Sequence, residues 1–392
     1  MCSKKNILLL FLVMVLSGCS VVVSRFIPLN DITPPTGEYS VGTEVFQWED
    51  YTRKEWFSDD PDDIREIVVQ VWFPAIPQSK KTNKWIDYPL QRVQSISDNF
   101  KVPKFISRAI DRVDTDTYTD SQPLESIRLP VVIFSHGFEG FRTQNTTQIQ
   151  ELVSHGYIVF ALTHTYDALL TIFPDGKKVD RAKKYCHNCK GEQFWEVFKP
   201  QIDTRAADIH FLLDQIERIE RGDISTDFGS IMDLDRIGIF GHSFGGGTSV
   251  VAGITDSRIQ SILSLDGWYV PVHPSIYHQS FDKPFLHLGQ TSWEDPYNYQ
   301  VLDTLLQNAQ DVSYSLLLEG AEHYDFTDSP HLSNMASKFN LSSEVDSNEI
   351  LDVMNTTVLG FFDQTLKSKP KEWLDKIKSN KHIKLKEKNE SE

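Results

Sequence analysis

Cysteine is scarce in this chain, with four in 392 residues. Cys2 and Cys19 lie in the first twenty residues, which leaves Cys186 and Cys189 for the body. With no further pair, a four-cysteine metal site is excluded. Basic residues are also short, 39 Lys+Arg against 55 Asp+Glu, for a formal charge of -16. Nucleic-acid binding needs a basic surface that displaces counterions, so that function class is set aside. There are no internal repeats and no low-complexity tract. What is present is ample apolar material, 40% hydrophobic and 11% aromatic residues, enough for a large core. α/β chains of this length often form one domain with insertions.

The N-terminus reads as a separate object. Two lysines in MCSKK precede the apolar run ILLLFLVMVLSG, which is about as long as a secretory signal and too short for a comfortable membrane span. The run ends Leu16-Ser17-Gly18-Cys19, which resembles the lipobox of bacterial lipoproteins. Residues 1–18 are then a signal peptide, and the Cys19 thiol receives diacylglycerol. Ser20 in place of Asp favours the outer membrane. A plain signal peptide or an anchor helix is the alternative. The polar, proline-bearing stretch 19–49 reads as a tether leading into the fold. The domain proper is expected over 50–366, as a monomer.

Strands are expected at REIVVQVWFPA (Arg65–Ala75), LPVVIFSHG (Leu129–Gly137), GYIVFALTH (Gly156–His164), RIGIF (Arg236–Phe240), IQSILSLDG (Ile259–Gly267), KPFLHLG (Lys283–Gly289) and VSYSLLLEGA (Val312–Ala321). Helical patterns fall at Asn145–Gly156, Ile202–Arg221 and Glu349–Lys367. Apolar strands alternating with amphipathic helices define an α/β fold, a mostly parallel sheet with helices on both faces. Insertions are expected at about 76–128 and 166–199. The second carries Cys186-His187-Asn188-Cys189, read as a local disulfide, with free thiols or a zinc site helped by His187 as alternatives. The tail 367–392 holds nine lysines and five acids and reads as a partly frayed, solvated basic helix.

The stretch with most chemistry is Gly241-His242-Ser243-Phe244-Gly245. It fits G-x-S-x-G, a turn that presents a serine hydroxyl between a buried strand and a helix. A side chain at Gly241 or Gly245 would collide across so sharp a bend. Serine needs a base to act as a nucleophile. His323, in EGAEHYDF, follows the last strand at the edge where ligands bind in open α/β sheets. His331 is the reserve candidate, and His287, inside a strand, reads as a packed histidine. The third member is Asp266, or Glu294 or Asp295 one strand later. Position alone leaves this open. Developing negative charge on the substrate needs two backbone N–H donors, expected from Phe244 and from Phe138 in SHGFEG. The chemistry needs no metal and no organic cofactor.

Several stretches together resemble the platelet-activating factor acetylhydrolase family of the plasma and intracellular type II kind. They are PTGEYSVGT, LPVVIFSHGFEGFRTQ, LVSHGYIVFALTH, RIGIFGHSFGGGTSV, ILSLDGW followed by Pro271, and HYDFTD, in order from about Pro35 to Ser329. The resemblance implies an α/β-hydrolase fold and a metal-independent serine esterase. It implies activity on short or oxidised acyl groups at the sn-2 position of phospholipids; a general lipase, esterase or polyester hydrolase, a serine peptidase on the same fold and a non-catalytic lipid- or partner-binding surface lipoprotein are the alternatives. It also selects Asp266 as the acid, with His323 as base and the Phe138 and Phe244 amides as donors. The chain departs from the family at Glu139, where a small residue is usual, and in the long 166–199 segment.

Overall fold

Every residue of LPVVIFS is buried, because this strand has protein on both faces. Val131 and Ile133 point into one hydrophobic core, Val132 and Phe134 into another, so the run shows no polar alternation. The computed structural model that shows this describes residues 24–125, 127–182, 191–333 and 335–388.

The chain enters through β1 (Ser40–Lys54) and β2 (Ile64–Pro77), an antiparallel pair. Helices α1 (Pro89–Phe100) and α2 (Lys104–Ala109) and the short strands β3 (Thr117–Tyr118) and β4 (Ser121–Pro123) follow. Next come β5 (Leu129–Ser135), α3 (Thr146–Ser154), β6 (Ile158–Thr163) and a two-stranded hairpin, β7 (Leu170–Ile172) with β8 (Lys178–Asp180). Then α4 (Glu192–Glu220), β9 (Met232–His242), α5 (Phe244–Thr255), β10 (Ile259–Leu265) and β11 (Phe285–Gln290) continue the wrapping. The chain closes with α6 (Tyr297–Asn308), β12 (Ser313–Leu318), α7 (Ser347–Lys367), α8 (Glu372–Ser379) and β13 (Ile383–Lys388).

The main sheet runs β13-β12-β11-β10-β9-β5-β6-β2-β1-β3. The six strands from β12 to β6 are parallel, and the flanking β13 and β2 are antiparallel. Helices α4, α5 and α6 cover one face and α3, α7 and α8 the other, as their buried side chains show. This is the α/β-hydrolase arrangement expected from the strand and helix pattern.

Three expectations need correcting. Residues 24–39 are no loose tether: Arg112 donates to the Ser24 and Ile27 carbonyls, and Thr36 is bound to Glu151. The stretch then continues directly into β1, whose pairing with β2 outweighs its polar composition. Within the 76–128 segment, β3 pairs with β1 and β4 with β2. Helix α4 begins ten residues before Ile202 and carries Pro200 inside, a residue that ordinarily breaks helices. The lysine-rich tail is helical only in α8, and its second half is the strand β13 instead of a frayed helix. In IKLKEK the lysines alternate with Ile383 and Leu385, the two-residue period of a strand. Lys384 pairs with Glu319 at 2.6 Å and Lys386 with Asp303 at 3.0 Å. Edge lysines of this kind also keep an outer strand from pairing with another chain.

Five buried histidines make the fold sensitive to acid. Burial pushes His164 and His242 down to about 3 and His287 and His331 to about 4, and holds His136 well below its ordinary value. All are depressed below the unfolded value near 6.5, so the stability they contribute is present above pH 6.5 and is lost as pH falls toward 4. Each costs ~1.4 kcal/mol per pH unit in that window. Urea midpoints are therefore expected to fall steeply between pH 7 and pH 5. A constant midpoint over that range would contradict the neutral, buried assignment.

Candidate active site

The register of three parallel strands brings the chemistry to one edge. Gly241 of β9 lies opposite Ser135, the last residue of β5, and His242 lies opposite Leu265, the last residue of β10. One residue further along β9 and β10 are Ser243 and Asp266. Both emerge at the carboxyl edge, where open α/β sheets bind ligands. His323 follows β12 by five residues, and its single helical turn starts at the same edge.

Ser243 sits between β9 and α5 with φ 56° and ψ -120°, a backbone that non-glycine residues rarely adopt. Its N–H donates to the Leu265 carbonyl at 2.9 Å and its carbonyl accepts from Trp268 at 2.8 Å, which holds the strain in place. A Cβ at Gly241 would collide with the Gly245 carbonyl, and one at Gly245 with the Ser135 carbonyl. The two glycines are therefore required by contact with neighbouring backbone.

Ser243 Oγ lies 2.9 Å from His323 Nε2, and His323 Nδ1 lies 2.6 Å from Asp266 Oδ2. Asp266 is fully buried, and its other lone pairs are taken. Oδ1 accepts from the Gln290 N–H at 3.0 Å and from Trp293 Nε1 at 3.2 Å, and Oδ2 accepts from Gln290 Nε2 at 2.9 Å. Burial alone would raise its carboxyl. The hydrogen bond and charge of His323, helped by the Gln290 amide, keep it below the ordinary carboxylate value.

The later acids stand elsewhere. Glu294 and Asp295 are exposed, and Asp295 accepts the Tyr297 N–H at the start of α6. His287 is packed in β11 against the Tyr269 hydroxyl, 2.8 Å away, and His331 is buried with its carbonyl bound by Asn30. His242 turns from the serine toward Gln144, 2.8 Å from its Nδ1. Cys19, Cys186 and Cys189 lie outside the described residues.

The loop after β5 closes the other side. A Cβ on Gly137 would lie 3.4 Å from Ser243 Cβ, and the Phe138 and Phe244 rings meet edge to face at 6.2 Å. Glu139 sits at φ 59°, donates its N–H to the Asp167 carbonyl at 3.2 Å and pairs through its carboxylate with Arg181. Gln144 ties this loop to the serine turn: its Oε1 accepts the Gly137 N–H at 3.0 Å while its amide nitrogen meets His242. Gln144, Gln290 and Trp293 were not anticipated as site residues. Trp293 alone has a sequence signal, its place in TSWEDP beside Glu294 and Asp295.

A cavity of about 180 Å³ opens onto Ser243 and His323. Its walls are apolar and come from the inserted segment (Trp85, Ile96, Phe100, Ile106) and from Leu332 and Phe339. Asp328 joins walls to core, accepting from Trp85 Nε1 at 2.9 Å and from the Thr146 and Thr147 N–H groups that begin α3.

A strained serine at the strand edge, a histidine and carboxylate in line behind it and an apolar cavity in front belong to a carboxylic-ester hydrolase of the α/β-hydrolase fold. The family is narrower than that. The model for "Platelet-activating factor acetylhydrolase, isoform II" matches residues 27–385, and the chain belongs to this family. It is 25% identical over 351 residues to the platelet-activating factor acetylhydrolase of Canis lupus familiaris, covering 84% of this chain and 76% of that one. It is 25% identical over 296 residues to a protein of Arthroderma benhamiae named "Probable 1-alkyl-2-acetylglycerophosphocholine esterase", covering 69% of this chain and 70% of that one. The structure of a ferulic acid esterase from Streptomyces cinnamoneus superimposes with a TM-score of 0.70 at 24% identity, covering 88% of this chain and 96% of that one. The last comparison concerns the fold.

Proposed function

We propose that the protein hydrolyses short or oxidised acyl esters at the sn-2 position of phospholipids, with Ser243, His323 and Asp266 as its catalytic residues. The observation that carries this reading is the unbroken line of hydrogen bonds Ser243–His323–Asp266 beside an apolar cavity. His323 Nε2 takes the proton of Ser243 Oγ as the oxygen attacks the ester carbonyl. The carbonyl oxygen becomes an oxyanion, held by the Phe244 and Phe138 amides. Collapse breaks the ester C–O bond, and His323 gives the proton to the departing lysophospholipid hydroxyl. Water, deprotonated by His323, then attacks the acyl-enzyme. The carboxylic acid leaves and Ser243 regains its proton.

The cavity supports a limit on acyl length. Its ~180 Å³ is close to the ~150 Å³ that holds one benzene-sized molecule. A chain-length series of sn-2 phospholipids, run beside matched p-nitrophenyl esters, tests this. Acetyl to roughly hexanoyl groups are expected to turn over at least ~100-fold faster than palmitoyl, the scale that several unaccommodated methylenes reach. Equal rates across the series, or turnover of p-nitrophenyl esters alone, would move the reading to a general esterase of simple esters.

The charged start, short apolar run and Leu16-Ser17-Gly18-Cys19 support export and lipid anchoring at Cys19. On this reading the enzyme is a monomer tethered to the outer membrane and meets its substrate there. Mass spectrometry of the mature N-terminus, with Cys19→Ala as control, tests the anchor.

A further inference from the structure

Arg205 lies in the middle of α4, fully buried, and the mechanism above makes no use of it. Its surroundings are the two chain segments on which the proposed oxyanion donors ride. On one side Arg205 Nη2 donates to the His136 carbonyl, two residues before Phe138. On the other its guanidinium carbon lies 4.8 Å from the centroid of the Phe244 ring. Its Nε faces Asp167 Oδ2 at 3.7 Å, and Asp167 in turn accepts the Glu139 N–H through its carbonyl. Gln201 Nε2 holds the same Asp167 oxygen at 3.0 Å, one turn before Arg205 on the helix.

We propose that Arg205 is a positioning residue that sets the spacing of the two oxyanion donors, holding the Phe138 loop by the His136 carbonyl and the Phe244 segment by its ring. The inference rests on the esterase reading of this site.

The gap that Arg205 spans is a tight one. The His136 carbonyl also faces Gly245, where a Cβ would meet it at 2.6 Å, so loop and serine turn are already in backbone contact. A small shift of either segment changes the distance between the Phe138 and Phe244 amides. Donors must lie within about 0.3 Å of their ideal reach to stabilise an oxyanion fully. A guanidinium suits the task because its plane donates and its face stacks at once, which an ammonium cannot do. Phe198 and Trp268 close the remaining sides of the Phe244 ring at 6.4 Å and 5.3 Å, so the ring is located by contacts on several sides.

The test compares wild type with Arg205→Met and Arg205→Lys in the full-length protein. It uses p-nitrophenyl acetate and a trifluoromethyl ketone, whose serine adduct is an oxyanion. Arg205→Met is expected to lower kcat by about 10²-fold, the scale of one oxyanion donor, with KM within about twofold of wild type. Ketone inhibition is expected to weaken by a similar factor, since the adduct resembles the transition state. Arg205→Lys is expected to fall between the two. A folded Arg205→Met with unchanged kcat, or with kcat reduced but ketone inhibition unaltered, overturns the proposal. If Arg205→Met does not fold, Arg205→Lys carries the decision: kcat and inhibition equal to wild type overturn it. A wild type inert to both probes would mean that the esterase reading has failed. An active wild type with unaffected variants would sink only the role of Arg205.

Discussion

Ser243→Ala is expected to lower kcat for p-nitrophenyl acetate by about 10⁴- to 10⁶-fold and to abolish labelling by a fluorophosphonate. The size follows from what the variant keeps. The donors and the cavity remain and still bind the ester, but no oxygen stands 2.9 Å from His323 Nε2 to be deprotonated. Turnover then depends on water reaching the place of Oγ. Alanine has the same backbone restrictions as serine, so the positive φ at this turn is neither relieved nor made worse. Thermal unfolding is accordingly expected to stay close to wild type, which separates lost chemistry from lost fold. Labelling that persists on another serine would remove Ser243 from the centre of the site.

An element is legible in the sequence to the extent that its signal is local. The strands β5 and β6 are nearly continuous apolar runs, and β9 and β10 carry shorter ones in Ile237–Phe240 and Ile262–Leu265, so their pattern needs no partner to be recognised. The serine turn is likewise local in its motif, since its glycines and serine fall within five residues, although the backbone that demands Gly245 is that of Ser135, far off in the chain. Strand β1 was missed because its pairing with β2 decides its state, and pairing is not written in composition. Strand β13 was missed for a different reason. Its alternation is short and lies among lysines, so the charge of the segment masks its period.

The site divides in the same way. Ser243 and His323 were placed by their positions after strands. Asp266, Glu294 and Asp295 could not be ranked by position, since all follow strands of the same sheet. The family resemblance chose among them, and the geometry puts Asp266 alone of the three against the imidazole. Gln144, Gln290 and Arg205 act across the fold, at separations no motif spans.

The acid gives the second large effect. Asp266→Asn is expected to reduce kcat by about 10⁴-fold with the fold intact, while Asp295→Asn stays within about twofold of wild type. The argument turns on hydrogen-bond polarity. Every partner that faces Asp266 donates: the Gln290 N–H, Gln290 Nε2, Trp293 Nε1 and His323 Nδ1. An asparagine has one accepting oxygen, and the Gln290 N–H and the Trp293 indole compete to keep it at the Oδ1 position. Its NH₂ then points at His323 Nδ1, which has to accept. The imidazole proton moves to Nε2, facing Ser243 Oγ, and a nitrogen that carries a proton cannot remove one from the serine. The lost negative charge also leaves the imidazolium of each step without its buried counterion. Both effects act on kcat rather than on binding, so KM is expected to change little. Should Asp295→Asn show the loss and Asp266→Asn retain wild-type rates, the acid would be the exposed one and the buried line of hydrogen bonds would be structural.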